Sequence, residues 1–409
     1  MKPTRLQSAR HALVLLAIAI TACGSPDGSG STDQPPVVTI SGILEGVTYQ
    51  GPVTILIAID QGAYQATLDG QPYISGSSVG APGAHTLSVA AHVGAAAITR
   101  LVHFTIQAPA GGALIVRMFD LGVNGDGGGG DAILVTDSSA AGMVHVMIDA
   151  GPAGANANDA GYVARQLAAL RVDTLAMLIL THAHGDHYGG MPSVVAGVKV
   201  KQFLYNGQVR NLASYNTLVS QARAAADTTI VVGALRDYNL GTSATPTHLK
   251  LLPPLATNLA VATDDGTLIN DGSIGSHLQL GTFTMFLAGD GEVDATRTWR
   301  TQFPTLTTAL SVLKVGHHGA NNAVFDNGFS GTSSWLTQTS PHLALISSNG
   351  TTHPRLAALA RILTQPGTTT YCTSVHGMIT LRIARSGDYT VTVARNADKP
   401  CVAGTEANT

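Results

Sequence analysis

Three imidazoles and a carboxylate fall within six residues in Thr181-His182-Ala183-His184-Gly185-Asp186-His187, directly after the apolar run Leu175 to Leu180. In extended chain, residues two apart point to the same side, so His182 and His184 can grip one cation from one face. Gly185 lets the chain turn, which brings Asp186 and His187 toward a second cation beside the first. Imidazole and carboxylate donors suit zinc, manganese or iron. No cysteine lies nearby, which excludes a thiolate zinc finger. The chemistry implied is hydrolysis at one or two divalent ions, zinc first and manganese second.

Further ligands must come from other strand ends. Phe283 to Ala288 is an apolar run that ends in Gly289-Asp290, and a carboxylate at a buried strand tip can bridge two metals. Lys314-Val315-Gly316-His317-His318-Gly319 ends another run. Two adjacent histidines cannot face the same way in extended chain, so one approaches the metal and the other serves as acid or substrate contact. His317 is the expected ligand. His353, in Thr352-His353-Pro354 after the run Leu343 to Ile346, suits either a last ligand position or the substrate mouth. Asp149, at the end of the run Met143 to Ile148, is either an outer partner of a ligand histidine or a turn aspartate.

These segments must be positioned by an α/β frame. Strand-like runs open at Leu114, Asp131, Met143, Leu249, Ser276 and Phe283, and helical patterns cover Ala160 to Leu170, Leu212 to Ala225 and Arg355 to Leu363. The glycine-dense stretch Asn124 to Gly130 lacks a Gly-Lys-Ser/Thr ending and a following helix, so it is not a nucleotide loop. Ahead of this region, residues 37–108 hold short alternating runs separated by Gly, Pro and Asp69-Gly70 turns, the pattern of a small antiparallel sandwich. His85, His92 and His103 have no recurring acidic neighbour there and are expected to be structural.

Of the 409 residues, 44% are hydrophobic and 11% charged, with a net charge of −3. That is ample for two cores, and it excludes a strongly basic nucleic-acid clamp. Residues 1–23 read as an export signal: Lys2, Arg5 and Arg10 precede the apolar Ala12 to Ile20, which is shorter than the ~20 residues a bilayer needs. Ile20-Thr21-Ala22-Cys23 resembles a bacterial lipobox, so Cys23 is the expected lipid-bearing residue, with Gly24 next in line favouring an outer-membrane or cell-surface address. Residues 24–36 form a Ser/Gly/Pro tether. Cys372 and Cys401 remain and can pair in an oxidising compartment.

The central cluster resembles the signature of the metallo-β-lactamase superfamily of hydrolases. Taken together, Phe119-Asp120-Leu121-Gly122, Gly130-Asp131-Ala132-Ile133-Leu134, Ile148-Asp149-Ala150-Gly151, Thr181 to Gly190, Asn270-Asp271-Gly272-Ser273, Leu287-Ala288-Gly289-Asp290, Lys314 to Gly319 and His353-Pro354 follow the order of the extracytoplasmic hydrolase domain of the ComEC DNA-uptake family. The resemblance implies a four-layer αββα sandwich over residues 113–396, followed by a tail at 397–409. Residues 37–108 are similar to bacterial immunoglobulin-like modules. Carried over by position, His182, His184, Asp186, His187 and Asp290 would be metal ligands, with His317 or His318 in the site. Asp186 would orient the attacking water or take its proton, and His317, His318 or His353 would assist the leaving group.

The chain departs from that family in carrying Ala320 after His-His-Gly and in offering only His248 and His277 between His187 and Asp290, where one more ligand histidine is usual. Either the first metal is then held by fewer protein groups, or only one metal binds tightly. A phosphodiester, DNA included, is the expected substrate. A small ester, lactone or lactam is the competing one, and a cell-surface binding protein with a scaffold hydrolase domain is the non-enzymatic alternative.

Overall fold

The computed structural model describes residues 34–405 apart from 50–52, 82, 108–112, 123–128, 140–141, 156–158, 256–258 and 260–263. The export signal, Cys23, most of the tether and most of the glycine-dense stretch lie outside the described residues. Among the described residues no helix is long and apolar enough to cross a membrane.

Alternation in the first part does produce strands. A five-stranded sheet orders Thr48–Tyr49, Ala96–Ile106, Gly83–Val93, Ala63–Leu68 and Gln71–Pro72, and two short two-stranded sheets accompany it. Val38 and Ile57 from one of the short sheets pack with Leu87, Val89 and Phe104 of the larger one in a single core. Asp69 and Gly70 both take positive φ, 52° and 82°, which matches the twist of the tight hairpin they close. His85 is buried, with Nδ1 2.8 Å from Asp69 and Nε2 2.7 Å from the Ala81 carbonyl. His103 lies at the surface beside Glu45.

From Ala113 onward two larger sheets face each other. One has nine strands, with Met177–Leu180, Gly142–Ile148, Ile133–Ser139 and Ala113–Met118 side by side near its middle. The other has seven, including Gly275–Leu280, Phe283–Leu287, Val312–Lys314, Leu343–Ile346 and Thr369–Cys372. The strands read as nearly unbroken apolar runs because both faces are covered. Ile133 and Val135, Val146 and Ile148, Met285 and Leu287, and Leu343 and Leu345 all point into the core between the sheets. Their neighbours point outward: Leu134, Met147 and Leu178 meet a core that includes residues of helices Tyr162–Ala169, Met191–Gly197 and Ala213–Ala225. Phe286, Ala344 and Ile346 meet Trp299, Trp335, Leu359 and Ile362 from helices Val293–Gln302, Ser334–Thr339 and Leu356–Leu363. The layer order is therefore helix, sheet, sheet, helix, as the αββα expectation had it.

Parallel pairing aligns the strand ends that matter. Gly142–Ile148 runs parallel to Met177–Leu180, and Phe283–Leu287, Val312–Lys314 and Leu343–Ile346 are parallel to one another. Their C-terminal ends deliver Asp149, Thr181 with the histidine cluster, Asp290, His317 with His318, and Ser347. Ligand-bearing loops at the carboxyl ends of parallel strands are the usual outcome of this geometry.

Cys372, at the end of the last strand of the second sheet, is disulfide-bonded to Cys401 across 29 residues, and both are buried. The bridge holds the tail where the amides of Gly404 and Thr405 donate to the carbonyls of Pro354 and Gly350, flanking His353. Replacing both cysteines by serine is expected to lower unfolding free energy by about 3–4 kcal/mol, from the closure entropy of a loop of this length. Denaturant titration measures this; an unchanged midpoint, or two titratable thiols from these residues in the unreduced protein, would contradict the bridge.

Candidate metal centre

The histidine loop is built outward from Asp149. This residue, fully buried at a positive φ of 55°, accepts the Thr181 amide at 2.8 Å and the Thr181 hydroxyl at 2.6 Å. It also accepts Nδ1–H of His187 at 2.8 Å. Because the Thr181 hydroxyl spends its proton on Asp149, it can only accept from Nδ1 of His182, 3.0 Å away. On the far side, Nδ1 of His318 donates to the Ser347 carbonyl at 3.0 Å. Three imidazoles thus have Nδ1 committed as donor, which turns each Nε2 toward one space, where it can ligate a cation once it carries no proton. The Asp149 expectation of an outer partner matches this geometry.

The chain stays extended through His184 and then winds into the single turn Gly185–Tyr188, which carries Asp186 and His187. Two glycines allow the close packing. A Cβ at Gly130 would lie 2.1 Å from the Asp186 carbonyl oxygen, and one at Gly289, at φ 51°, would press within 3.2 Å of Ser273 and Thr181.

Asp290 stands at the centre. Its Oδ2 lies 3.1 Å from Nε2 of His187, 3.1 Å from Nε2 of His318 and 3.8 Å from Nε2 of His182. Asp186 Oδ2 is 3.4 Å from Nε2 of His318 and 3.9 Å from Nε2 of His187. Asp186, His187, Asp290 and His318 therefore place four buried ligand atoms within 4.8 Å of one another. Two donors at tetrahedral angles around zinc stand roughly 3.3 Å apart, so these separations are those of a ligand shell. His182 Nε2 and His184 Nδ1, 3.2 Å apart, form a second and thinner donor pair next to it.

The residues present fit a cation on two independent counts. Nε2 of His187, Nε2 of His318 and Oδ1 of Asp290 are buried without a hydrogen-bond partner. Orphaned polar atoms at this density are rare in folded proteins. Charge gives the same answer: Asp131, Asp149, Asp186, Asp290 and Glu292 are all buried, and Lys314 is the buried ammonium among them, contacting Asp131 and donating to the Gly289 carbonyl at 2.9 Å. The carboxylates outnumber the ammonium, and the surplus of negative charge is what divalent ions or protonated histidines must balance.

Burial alone would hold the imidazoles neutral, and it does so for His182, well below its ordinary value, and for His184. Burial also depresses His187 and His318, but Asp290 and its neighbouring carboxylates outweigh it. His187 is raised well above the usual range and His318 is pushed up to about 9. Asp290 shows the reciprocal effect: burial raises it, yet the flanking imidazoles hold it well below the usual carboxylate range.

The two adjacent histidines divide their tasks in the opposite sense to the expectation. His318, not His317, enters the ligand group, because both take positive φ, 53° and 43°, in a tight turn that swings the second ring inward. His317 stays partly exposed, with Nδ1 3.1 Å from Glu292 and 3.2 Å from the Asn322 side-chain oxygen. His353 lies outside the ligand group, its ring stacked on His317 at 5.5 Å, and burial pushes it down to about 3. His248 is a surface residue near Asp237, and His277 is buried mid-strand opposite Phe286. Neither reaches the centre. Instead Asn270 stands on the His182–His184 side: it interacts with His184 and donates to Glu292 at 2.7 Å.

Glu292, Asn270, Lys314, Asp131 and Ser347 had no individual role in the sequence reading. Four of the five sit in or beside motifs singled out there; Ser347, directly after the run Leu343 to Ile346, carried no signal of its own.

The metallo-beta-lactamase superfamily profile matches residues 125–232, so the chain carries a domain of that superfamily. No curated protein matches the chain. Among solved structures it is similar to a mutant of the CmlA beta-hydroxylase at 13% identity and TM-score 0.39, covering 66% of this chain and 54% of that one. A metallo-beta-lactamase superfamily protein from the archaeon Sulfolobus tokodaii is 17% identical at TM-score 0.26, over 43% of this chain and 62% of the other. A diphosphatase of the PhnP family is 12% identical at TM-score 0.36, over 66% and 98%. The chain spans about half the length of the first of these and less than two thirds of the second.

Protons and a cation compete for Nε2 of both His187 and His318, so metal affinity of the apo protein is expected to rise more than tenfold per pH unit between pH 7 and 9 and less steeply above, once His318 has lost its proton. The sign follows from the raised value: below about 9 the His318 imidazole must release its proton before it can ligate. Calorimetry in buffers of different ionisation enthalpy counts the released protons; a pH-independent affinity would contradict the assignment.

Proposed function

We propose that the protein, starting from its metallo-β-lactamase superfamily domain, is an exported metal-dependent hydrolase that acts on phosphodiesters. The observation that carries the reading is the four-ligand group Asp186, His187, Asp290 and His318 beside an open cavity of about 590 Å³. The cavity wall includes His317, adjacent in sequence to His318, and Glu292, two residues after Asp290. When bound, divalent ions in such a site polarise the scissile phosphorus–oxygen bond and make water nucleophilic near neutral pH.

The protein's own groups supply the rest. Asp290 ties the His187–His318 pair to His182. Asn270 fixes Glu292, whose carboxylate lies 3.1 Å from Nδ1 of His317 and so orients that imidazole at the cavity wall, where it can serve a departing oxygen. His353 is neutral at working pH and acts by hydrogen bonding rather than by charge. Asp149, buried among these groups, fixes ring orientation and takes no part in proton transfer.

The proposal extends to the cell envelope. Export through residues 1–23, lipidation of Cys23, a flexible tether over residues 24–36 and an immunoglobulin-like module would present the catalytic domain outside the cytoplasm, with the membrane as its anchor. The ComEC-like motif set supports the phosphodiester over an ester, lactone or lactam. DNA is the weaker substrate candidate, because the chain has no basic field to draw it in.

Metal-loaded protein is expected to hydrolyse bis-p-nitrophenyl phosphate and to lose that activity on chelation, with His318→Ala lower by on the order of a hundredfold or more. Glu292→Gln is expected to lower kcat while leaving KM nearly unchanged. Preferred turnover of a lactam chromophore would replace the substrate assignment. Activity that survives both chelation and His318→Ala would overturn the site.

A further inference from the structure

Phe329 is 76% exposed, more than any other large hydrophobic side chain among the described residues. It is not left in water by a slack loop. The Asn327 side-chain oxygen accepts the amides of Phe329 at 2.9 Å and Ser330 at 3.0 Å. Asp326 accepts the Ser334 amide at 3.0 Å and its hydroxyl at 2.7 Å, and its own amide donates to Thr332 at 3.0 Å. Gly328 and Gly331, at φ 81° and 90°, shape the turn, and buried Trp335 anchors the helix that follows. The loop is built to hold a phenyl ring at the wall of the cavity beside the metal centre, which Phe329 lines together with His317 and His353.

The same cavity carries Asp271, Glu292 and Asp294 against Arg355. Asp294 is ion-paired with Arg297, Glu292 lies against Nδ1 of His317, and Asp271 accepts the amides of Glu292 and Ala295. Among the described residues the wall thus offers Arg355 as its one guanidinium and no cluster of cations to seat a phosphate beyond the one at the metal centre. An aromatic platform on such a wall selects a substrate with one anionic centre and a flat apolar arm.

We propose that Phe329 is a specificity-determining residue, and that the substrate is a compact monoanionic phosphodiester with one aryl or nucleobase-like arm stacked on that ring rather than an extended nucleic-acid strand. This rests on the hydrolase reading given above and narrows it. Stacking of a planar group on an exposed aromatic is worth about tenfold or more in affinity.

The test compares two esters with the same leaving group, bis-p-nitrophenyl phosphate and methyl p-nitrophenyl phosphate. The ratio of their kcat/KM values is expected to fall about tenfold in Phe329→Ala and to recover in Phe329→Trp. A second readout needs no turnover: diphenyl phosphate, but not dimethyl phosphate, is expected to bind the metal-loaded protein about tenfold more weakly in Phe329→Ala. An unchanged ratio with normal turnover overturns the role of Phe329 and leaves the hydrolase intact. Phe329-dependent binding of diphenyl phosphate without hydrolysis of either ester rejects the hydrolase and keeps the aromatic subsite. A short single-stranded oligonucleotide that binds more tightly than diphenyl phosphate overturns the substrate class.

Discussion

Buried negative charge governs this molecule. Asp131, Asp149, Asp186, Asp290 and Glu292 are drawn out of water, with Lys314 beside Asp131 and Asp290, and an unbalanced buried carboxylate costs several kcal/mol. The histidines offset part of that by taking up protons, which is why His187 and His318 are raised while the equally buried His182 is lowered. A divalent cation offsets it better, since it replaces protons on rings whose Nδ1 atoms are already fixed by Asp149 and Ser347. The protein is thus pre-shaped for an ion, and its ligands need no rearrangement to receive one.

The frame serves this arrangement through strand ends. Two sheets buried on both faces supply stiff apolar runs, and parallel pairing brings their carboxyl ends to one edge. Residues distant in sequence meet there with little freedom: Asp131 touches Lys314 and Ser347, and Asp149 holds both Thr181 and His187. The donor set is uneven. Four ligand atoms gather at Asp186, His187, Asp290 and His318, while His182 and His184 share their side with Asn270. The described residues thus offer one dense ligand group and one thinner donor pair, and neither His248 nor His277 fills the place of the histidine missing between His187 and Asp290.

Much of this was legible in the sequence. The apolar runs gave the strands from Met143 and Phe283 within a few residues, and the spacing of His182, His184, Asp186 and His187 pointed to the loop that the structure sets beside Asp290. What escaped has a common cause. The choice of His318 over His317 depends on two consecutive left-handed residues, which no spacing rule signals in a His-His pair. Ile379–Ala384 and Tyr389–Val393, which complete the first sheet beside Ala113–Met118, are set by long-range pairing rather than local pattern. Glu292 and Asn270 matter through contact with each other and with His317, and such contacts exist only once the strand ends have converged. Phe329 reads as an ordinary loop residue until the cavity it lines is visible.

The central claim, that Asp290 gathers buried imidazoles around a cation, is tested most directly by anomalous diffraction at the metal absorption edge from crystals of the metal-loaded protein. The strongest anomalous peak should lie within the quadrilateral of Asp186, His187, Asp290 and His318, with a weaker one toward His182 and His184. A peak at any other group of residues, with nothing at Asp290, would contradict the account.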